Sequence, residues 1–206
     1  MKKGFQEGNV RRIEDDKWKL GYTDEFKQFV HQHPSIIRDV VERLSKIAND
    51  PKTPEGFRVE EGEIIIALEK RRLKSNIYSI QAHGRKFFLK MSRYAKEQAY
   101  DEFVDSSEAK KRIAEVMANL PIPVEVVDYQ LGFTQGGLNF FVAPWMDLVD
   151  VSEYQKTLTS LGQKRDFDQT LMILFEIFKD YVDFRILNMA YNPATNKIVI
   201  FDLQKK

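Results

Sequence analysis

VDFRILNMAYNPATNKIVIFDLQ, residues 182–204, decides the fold. It holds Asp183, Arg185 two residues later, Asn188 five residues after the Asp, then a turn and an apolar run that ends in Asp202. The strongly apolar stretch 167–178 reads as a helix, so Asp183 falls in the loop behind it. The residues on either side of Asn192-Pro193-Ala194-Thr195-Asn196 read as the two strands of a hairpin. Asn188 begins the first strand and Asp202 ends the second, so the hairpin brings the two side chains close.

Those four residue types suit one chemistry. An amide oxygen and a carboxylate are hard oxygen donors of the kind magnesium prefers, few in number and completed by phosphate oxygens. A separate Asp accepts a proton from a hydroxyl nucleophile, and a cation two residues on neutralises charge on a transferring phosphoryl group.

Upstream, EIIIALEKRRLKS, NIYSIQA and KFFLKM read as three antiparallel strands, the last two joined by a tight turn at His83-Gly84-Arg85. A long helix is expected over about 93–119, with Ile113, Val116, Met117 and Leu120 on one face. Two more strands flank Gln135-Gly136-Gly137, and helices follow at 151–161 and 167–178. Before the strands, Phe26, Phe29, Val30, Ile36, Ile37, Val40, Val41, Leu44 and Ile47 recur at helical spacing. Pro34 splits them into two helices, with Ser35 inside the start of the second. Residues 1–22 read as a loose polar arm, and NDPKTPEG, 49–56, as a linker. Strands in one part and helices in another make an α+β class.

Composition sets the outer bounds. The 43% hydrophobic content and 15 Phe supply a core for one domain with a small extension. With 32 basic against 31 acidic residues, bulk charge does not favour nucleic acid or an anionic membrane as a partner. No Cys means no disulfide, thiolate zinc site or Cys nucleophile. No run approaches the ~20 apolar residues of a membrane span, and the N-terminus lacks the apolar segment of a signal peptide. The expectation is a soluble, cytoplasmic protein. His31 and His33 in HQHP are too few for a metal site.

The closing segment resembles the catalytic half of the protein-kinase-like superfamily, whose pattern is Asp-x-Lys-x-x-Asn, a hairpin, then Asp-Phe-Gly. Here it reads Asp183-Phe184-Arg185-Ile186-Leu187-Asn188, then Asp202-Leu203-Gln204. The resemblance implies that Asp183 is the catalytic base and that Arg185 stands where a Lys meets the γ-phosphate. Asn188 and Asp202 would hold Mg²⁺. KFFLKM resembles the third strand of the small lobe, which makes Lys90 the residue on the ATP α/β-phosphates. Its partner on the long helix would be Glu108, eighteen residues on, or Glu102, which shares the face of Ile113 and Val116. LNFFVAPWMDL resembles the strand and hinge that receive adenine, with the backbone of Ala143 to Met146 near the purine. ANLPIPVEVVDY is similar to the small-molecule kinases more than to the Ser/Thr kinases. The resemblance covers about 60–206. It implies a five-stranded antiparallel small lobe with one long helix over 57–146, a reduced helical large lobe over 147–206, and an N-terminal helical extension over 1–56.

Three departures stand out. The glycine-rich loop falls at LEKRRLKSN, which has no glycine. Glycine there lets backbone N–H groups approach phosphates, so Lys70, Arg71, Arg72 and Lys74 would have to substitute side-chain charge or would block the site. Gln204 replaces the Gly after the final Asp. No activation segment or later large-lobe helices follow, and helices 24–48 are expected to replace part of that support. Each residue also has a plainer reading: Asp183 and Asn188 as helix-end and turn residues, Lys90 as a solvated lysine, Glu108 as one charge of SEAKKR, Trp145 as a packing residue. The expected function is ATP–Mg²⁺-dependent phosphotransfer to an unidentified hydroxyl acceptor. The alternative is a pseudokinase-like module that binds nucleotide or a protein partner without catalysis.

Overall fold

The computed structural model describes residues 18–48, 52–71, 75–92, 99–135, 138–182 and 184–205. In chain order the elements are β1 (Trp18–Tyr22), α1 (Asp24–Gln32), α2 (Ile36–Ala48), β2 (Arg58–Glu61), β3 (Ile64–Arg71), β4 (Ser75–Ala82), β5 (Arg85–Ser92), α3 (Ala99–Val116), β6 (Val124–Val126), β7 (Leu131–Gln135), β8 (Leu138–Pro144), β9 (Val149–Asp150), α4 (Val151–Thr157), α5 (Leu161–Ile177), β10 (Tyr181–Val182), β11 (Met189–Asn192), β12 (Lys197–Ile200) and β13 (Gln204–Lys205). The class is α+β, as expected. The chain forms two compact units, residues 1–100 with 129–145, and residues 101–128 with 146–206.

The first unit is built on a seven-stranded antiparallel sheet in the order β1-β7-β8-β5-β4-β3-β2. The β4–β5 turn has positive φ at both His83 (47°) and Gly84 (74°), the twist a two-residue hairpin needs. Two strands exceed the five expected. The segment expected to be part of a loose arm ends as β1, which pairs with β7 from Trp18↔Gln135 to Tyr22↔Leu131. Just past the linker, β2 pairs with β3. Both lie at the sheet's edges, where a short strand needs only one partner.

Period-two burial gives this sheet its packed face. Ile64, Ile66 and Leu68 of β3, Tyr78 and Ile80 of β4, and Phe87 and Leu89 of β5 all point to one side. That side is covered by Phe26 and Phe29 of α1 and by Ile36, Leu44 and Ile47 of α2. Thr23 caps α1 by accepting from the Phe26 amide at 3.3 Å. Behind α1, the His33 ring stacks on that of His83 at 3.6 Å. The helices thus close the core of the sheet. Ser35 lies one residue before α2 rather than within it. Its carbonyl accepts the Asp39 amide at 2.9 Å, and its hydroxyl bond to the Asp39 side chain lowers that carboxyl's pKa.

The second unit packs α3, α4 and α5 around a four-stranded sheet in the order β6-β12-β11-β9 and a two-stranded sheet of β10 and β13. The β6–β12 pairing is parallel and the rest antiparallel. Its core joins Ala109 and Ile113 of α3, Phe167 and Leu174 of α5, and Ile198 and Ile200 of β12. The last long helix begins at Leu161, six residues earlier than its apolar stripe suggests, because a capping box starts it. The Ser160 hydroxyl accepts from the Gln163 backbone amide at 3.1 Å while the Gln163 side-chain Oε1 accepts from the Ser160 backbone amide at 3.1 Å. No helix among the described residues is long and apolar enough to cross a membrane.

Candidate functional site

The hairpin β11–β12 runs in register from Met189↔Ile200 to Asn192↔Lys197. Asn188 does not begin it. It closes a short 3-10 turn, Ile186–Asn188, and its amide donates to the Arg185 carbonyl at 2.9 Å. Asp202 lies two residues past β12. The register still brings the pair together: the Phe201 amide donates to the Asn188 carbonyl at 3.0 Å, and the Asn188 side-chain amide donates to the Asp202 carbonyl at 3.4 Å. Both residues are half-buried, whereas Arg185 is exposed.

Asp202 has φ of +56°, in the left-handed region that few residues other than glycine adopt. That turn lets the chain leave β12 and bury Leu203 completely in the core with Met189, Ile198 and Ile200. The chain then pairs as β13 with β10, Tyr181 opposite Lys205 and Val182 opposite Gln204. The residues just before Asp183 are thereby fixed to those just after Asp202. Asp183 itself lies outside the described residues, as do Arg72 and Lys74 of the basic turn.

In the first unit, Lys90 sits on β5, the central strand, facing away from the helix-covered core. Its register partners are Ile77 on β4 and Phe141 on β8, and its ammonium lies 5.2 Å from the Phe141 ring centre. Phe88, opposite Ala143, shares this face, and Tyr129 packs on Phe141 at 4.3 Å. Lys90 and Ala143, singled out separately in the sequence, therefore occupy one face of one sheet. Trp145 receives the Lys86 ammonium over its ring at 3.9 Å, and its amide donates to the Lys86 carbonyl at 3.0 Å. Between Trp145 and Met146 the chain passes from one unit to the other. Arg71, the last residue of β3, is held by the preceding chain: its Nε donates to the Thr53 carbonyl at 3.0 Å and its amide to the Glu55 carboxylate at 2.7 Å. A register shift between Leu68 and Lys70 bulges β3 just before it.

On α3, Glu102 is buried (5% exposed), in a stripe with Ser106, Ala109 and Ile113. Glu108 accepts from Arg112 at 3.3 Å, one turn away. Spacing alone did not single out Arg112. It donates both Nη groups to Asp180, at 2.8 and 2.9 Å, and one also to the Ile177 carbonyl at 2.9 Å. Asp180 raises the guanidinium's already high pKa further. Burial, the largest influence, pushes the neighbouring Tyr181 hydroxyl up to about 12. Among the described residues, no three or more His, Cys, Asp or Glu side chains cluster as a metal site. Asn188 with Asp202 is a donor pair of the sparser kind magnesium takes.

No family model matches the sequence, and no curated protein matches it. Solved structures do. WaaP in complex with acyl carrier protein aligns with a TM-score of 0.51 at 15% identity, over 91% of this chain and 73% of that one. The PknI kinase domain of Mycobacterium tuberculosis aligns at 0.37 and 14% identity, over 71% of this chain and 61% of that domain. The BubR1 kinase domain aligns at 0.40 and 13% identity, over 83% of this chain and 57% of that domain. The chain thus spans about three-fifths of these two kinase domains. At such identity the likeness is one of architecture: the chain has a protein-kinase-like fold.

Proposed function

We propose that the chain is an ATP- and magnesium-dependent phosphotransferase that acts on a hydroxyl acceptor. The observation that carries this reading is the closure of 181–205 upon itself. One hydrogen bond joins Asn188 to the backbone of Asp202, Asp202 holds a left-handed turn, and the β10–β13 pair ties the approach to Asp183 to the exit from Asp202. In this reading the Asn188 and Asp202 oxygens hold Mg²⁺, which would supply charge neutralisation on the phosphates. Asp183 takes the acceptor's proton, and Arg185 meets the transferring group. Lys90 binds the α/β-phosphates, Ala143 and Met146 border the adenine, and Arg71 and Arg72 add charge beside the phosphates. The helical extension 1–56, the small lobe 57–146 and the reduced large lobe 147–206 belong to the same proposal.

In this reading the partner of Lys90 is Glu102 or Glu108 of α3.

A second reading, a pseudokinase-like interaction module, draws support from the basic turn. It has no glycine, and Arg71 is drawn toward Thr53 and Glu55. The likeness to WaaP, a protein captured with an acyl carrier protein, adds a protein partner as the natural alternative ligand.

Two variants decide between them. Asp183→Asn is expected to retain Mg–ATP binding and lower turnover by about 10² or more. Asp202→Asn is expected to weaken the magnesium-dependent binding itself. If both variants leave nucleotide binding and any turnover unchanged, the module reading stands in place of the enzyme.

A further inference from the structure

We infer that Arg112 is a positioning residue, through which α3 sets the alignment of the loop that carries Asp183; this rests on the phosphotransfer reading above. Helix α5 ends at Ile177, and only Phe178, Lys179, Asp180, Tyr181 and Val182 separate it from Asp183. Arg112 holds this short connection at three acceptors: the Ile177 carbonyl and both Asp180 carboxylate oxygens, all between 2.8 and 2.9 Å. Its guanidinium also lies 5.2 Å from the Tyr181 ring centre. The Tyr181 hydroxyl returns to α3 two turns earlier, donating to the Asp105 carbonyl at 3.5 Å. The root of the loop is therefore tied to α3 at two separated points.

The chemistry of the tie is specific. A carbonyl at a helix C-terminus carries partial negative charge, and a cation there is favourable. Two parallel N–H···O bonds to one carboxylate fix its plane as well as its distance. Lysine keeps the charge but lacks the fork and cannot reach three acceptors in that arrangement. The consequence runs along the chain. Tyr181 and Val182 pair with Lys205 and Gln204, so the strand that Arg112 steadies also steadies the exit from Asp202. A displacement of about 1 Å at a reacting group costs as much as 10²-fold in rate.

The experiment compares wild type, Arg112→Lys and Asp180→Asn for Mg–ATP turnover, for kcat and KM separately, and for Tm. Arg112→Lys keeps the charge and Asp180 is half exposed, so each variant should keep its Tm within about 3 °C. The expected result is a kcat reduced about tenfold or more in both variants, with KM for ATP within about twofold of wild type. The double variant should lose no more than either single one, because both break one tie. Wild-type kcat in Arg112→Lys overturns the positioning role alone. A loss that tracks Tm, or that falls on KM instead of kcat, also overturns it in favour of a structural role. Absence of turnover in the wild type would overturn the phosphotransfer reading, and the positioning role with it.

Discussion

At the scale of single residues, two side chains are held in conditions they would not choose alone. Asp202 occupies a left-handed backbone conformation at φ +56°, at a cost of the order of 1 kcal/mol or more for a residue with a Cβ. Its return is positional: Leu203 enters the core and the Asp202 carboxylate stays at the edge of it. Tyr181 is the second case. Its ring is buried against Phe178 at 5.1 Å, and that burial pushes its hydroxyl up to about 12, from the ordinary value near 10. A raised folded-state value favours the native state fully below the unfolded value and loses that advantage as pH rises through the folded one. Wild type should therefore lose stability between about pH 10 and 12 through this group. Tyr181→Phe should show a smaller fall in Tm between pH 9.5 and about 11.5 than wild type, in parallel thermal melts. Identical slopes would mean that the ring is wetter than its surroundings imply.

At the scale of elements, the N-terminal helices are parts of the sheet's core. Phe29 packs against Phe87 of β5 at 5.3 Å and against Phe26 at 6.2 Å, and it is almost wholly buried. Phe29→Ala should cost about 3–5 kcal/mol in denaturant unfolding, the usual range for a buried aromatic. A cost below about 1 kcal/mol would mean that α1 is only loosely laid on the sheet. The same elements show what the sequence could disclose. The β3–β4–β5 meander was legible because its apolar residues alternate and its turn carries His83-Gly84, all within a local window. The edge strand β1 was not, because its partner β7 lies more than half the chain away and the alternation of Trp18, Leu20 and Tyr22 spans only five residues at the end of a polar, glycine-punctuated stretch. The start of α5 was written in Ser160-Leu161-Gly162-Gln163, but Gly162 and the polar stretch behind it obscured a capping box that hydrogen bonds make plain.

At the scale of the whole molecule, the candidate site was legible to the extent that it consists of local spacing. Asn188 and Asp202 are 14 positions apart, and the hairpin between them brings the Asn188 side chain to the Asp202 carbonyl. The contacts from α3 were not legible, because Arg112 and Asp180 are separated by 68 positions and each looks like an ordinary surface charge. Nor could spacing decide between Glu102 and Glu108. The central claim is that this kinase-like fold binds ATP through magnesium held by Asn188 and Asp202. The most direct test is a thermal-shift titration of the full chain with ATP, in parallel with Mg²⁺ and with EDTA. The account predicts stabilisation that depends on the metal and reaches about 2.7 kcal/mol at a hundred times the Kd. No shift at millimolar ATP, or the same shift in EDTA as in Mg²⁺, would contradict it.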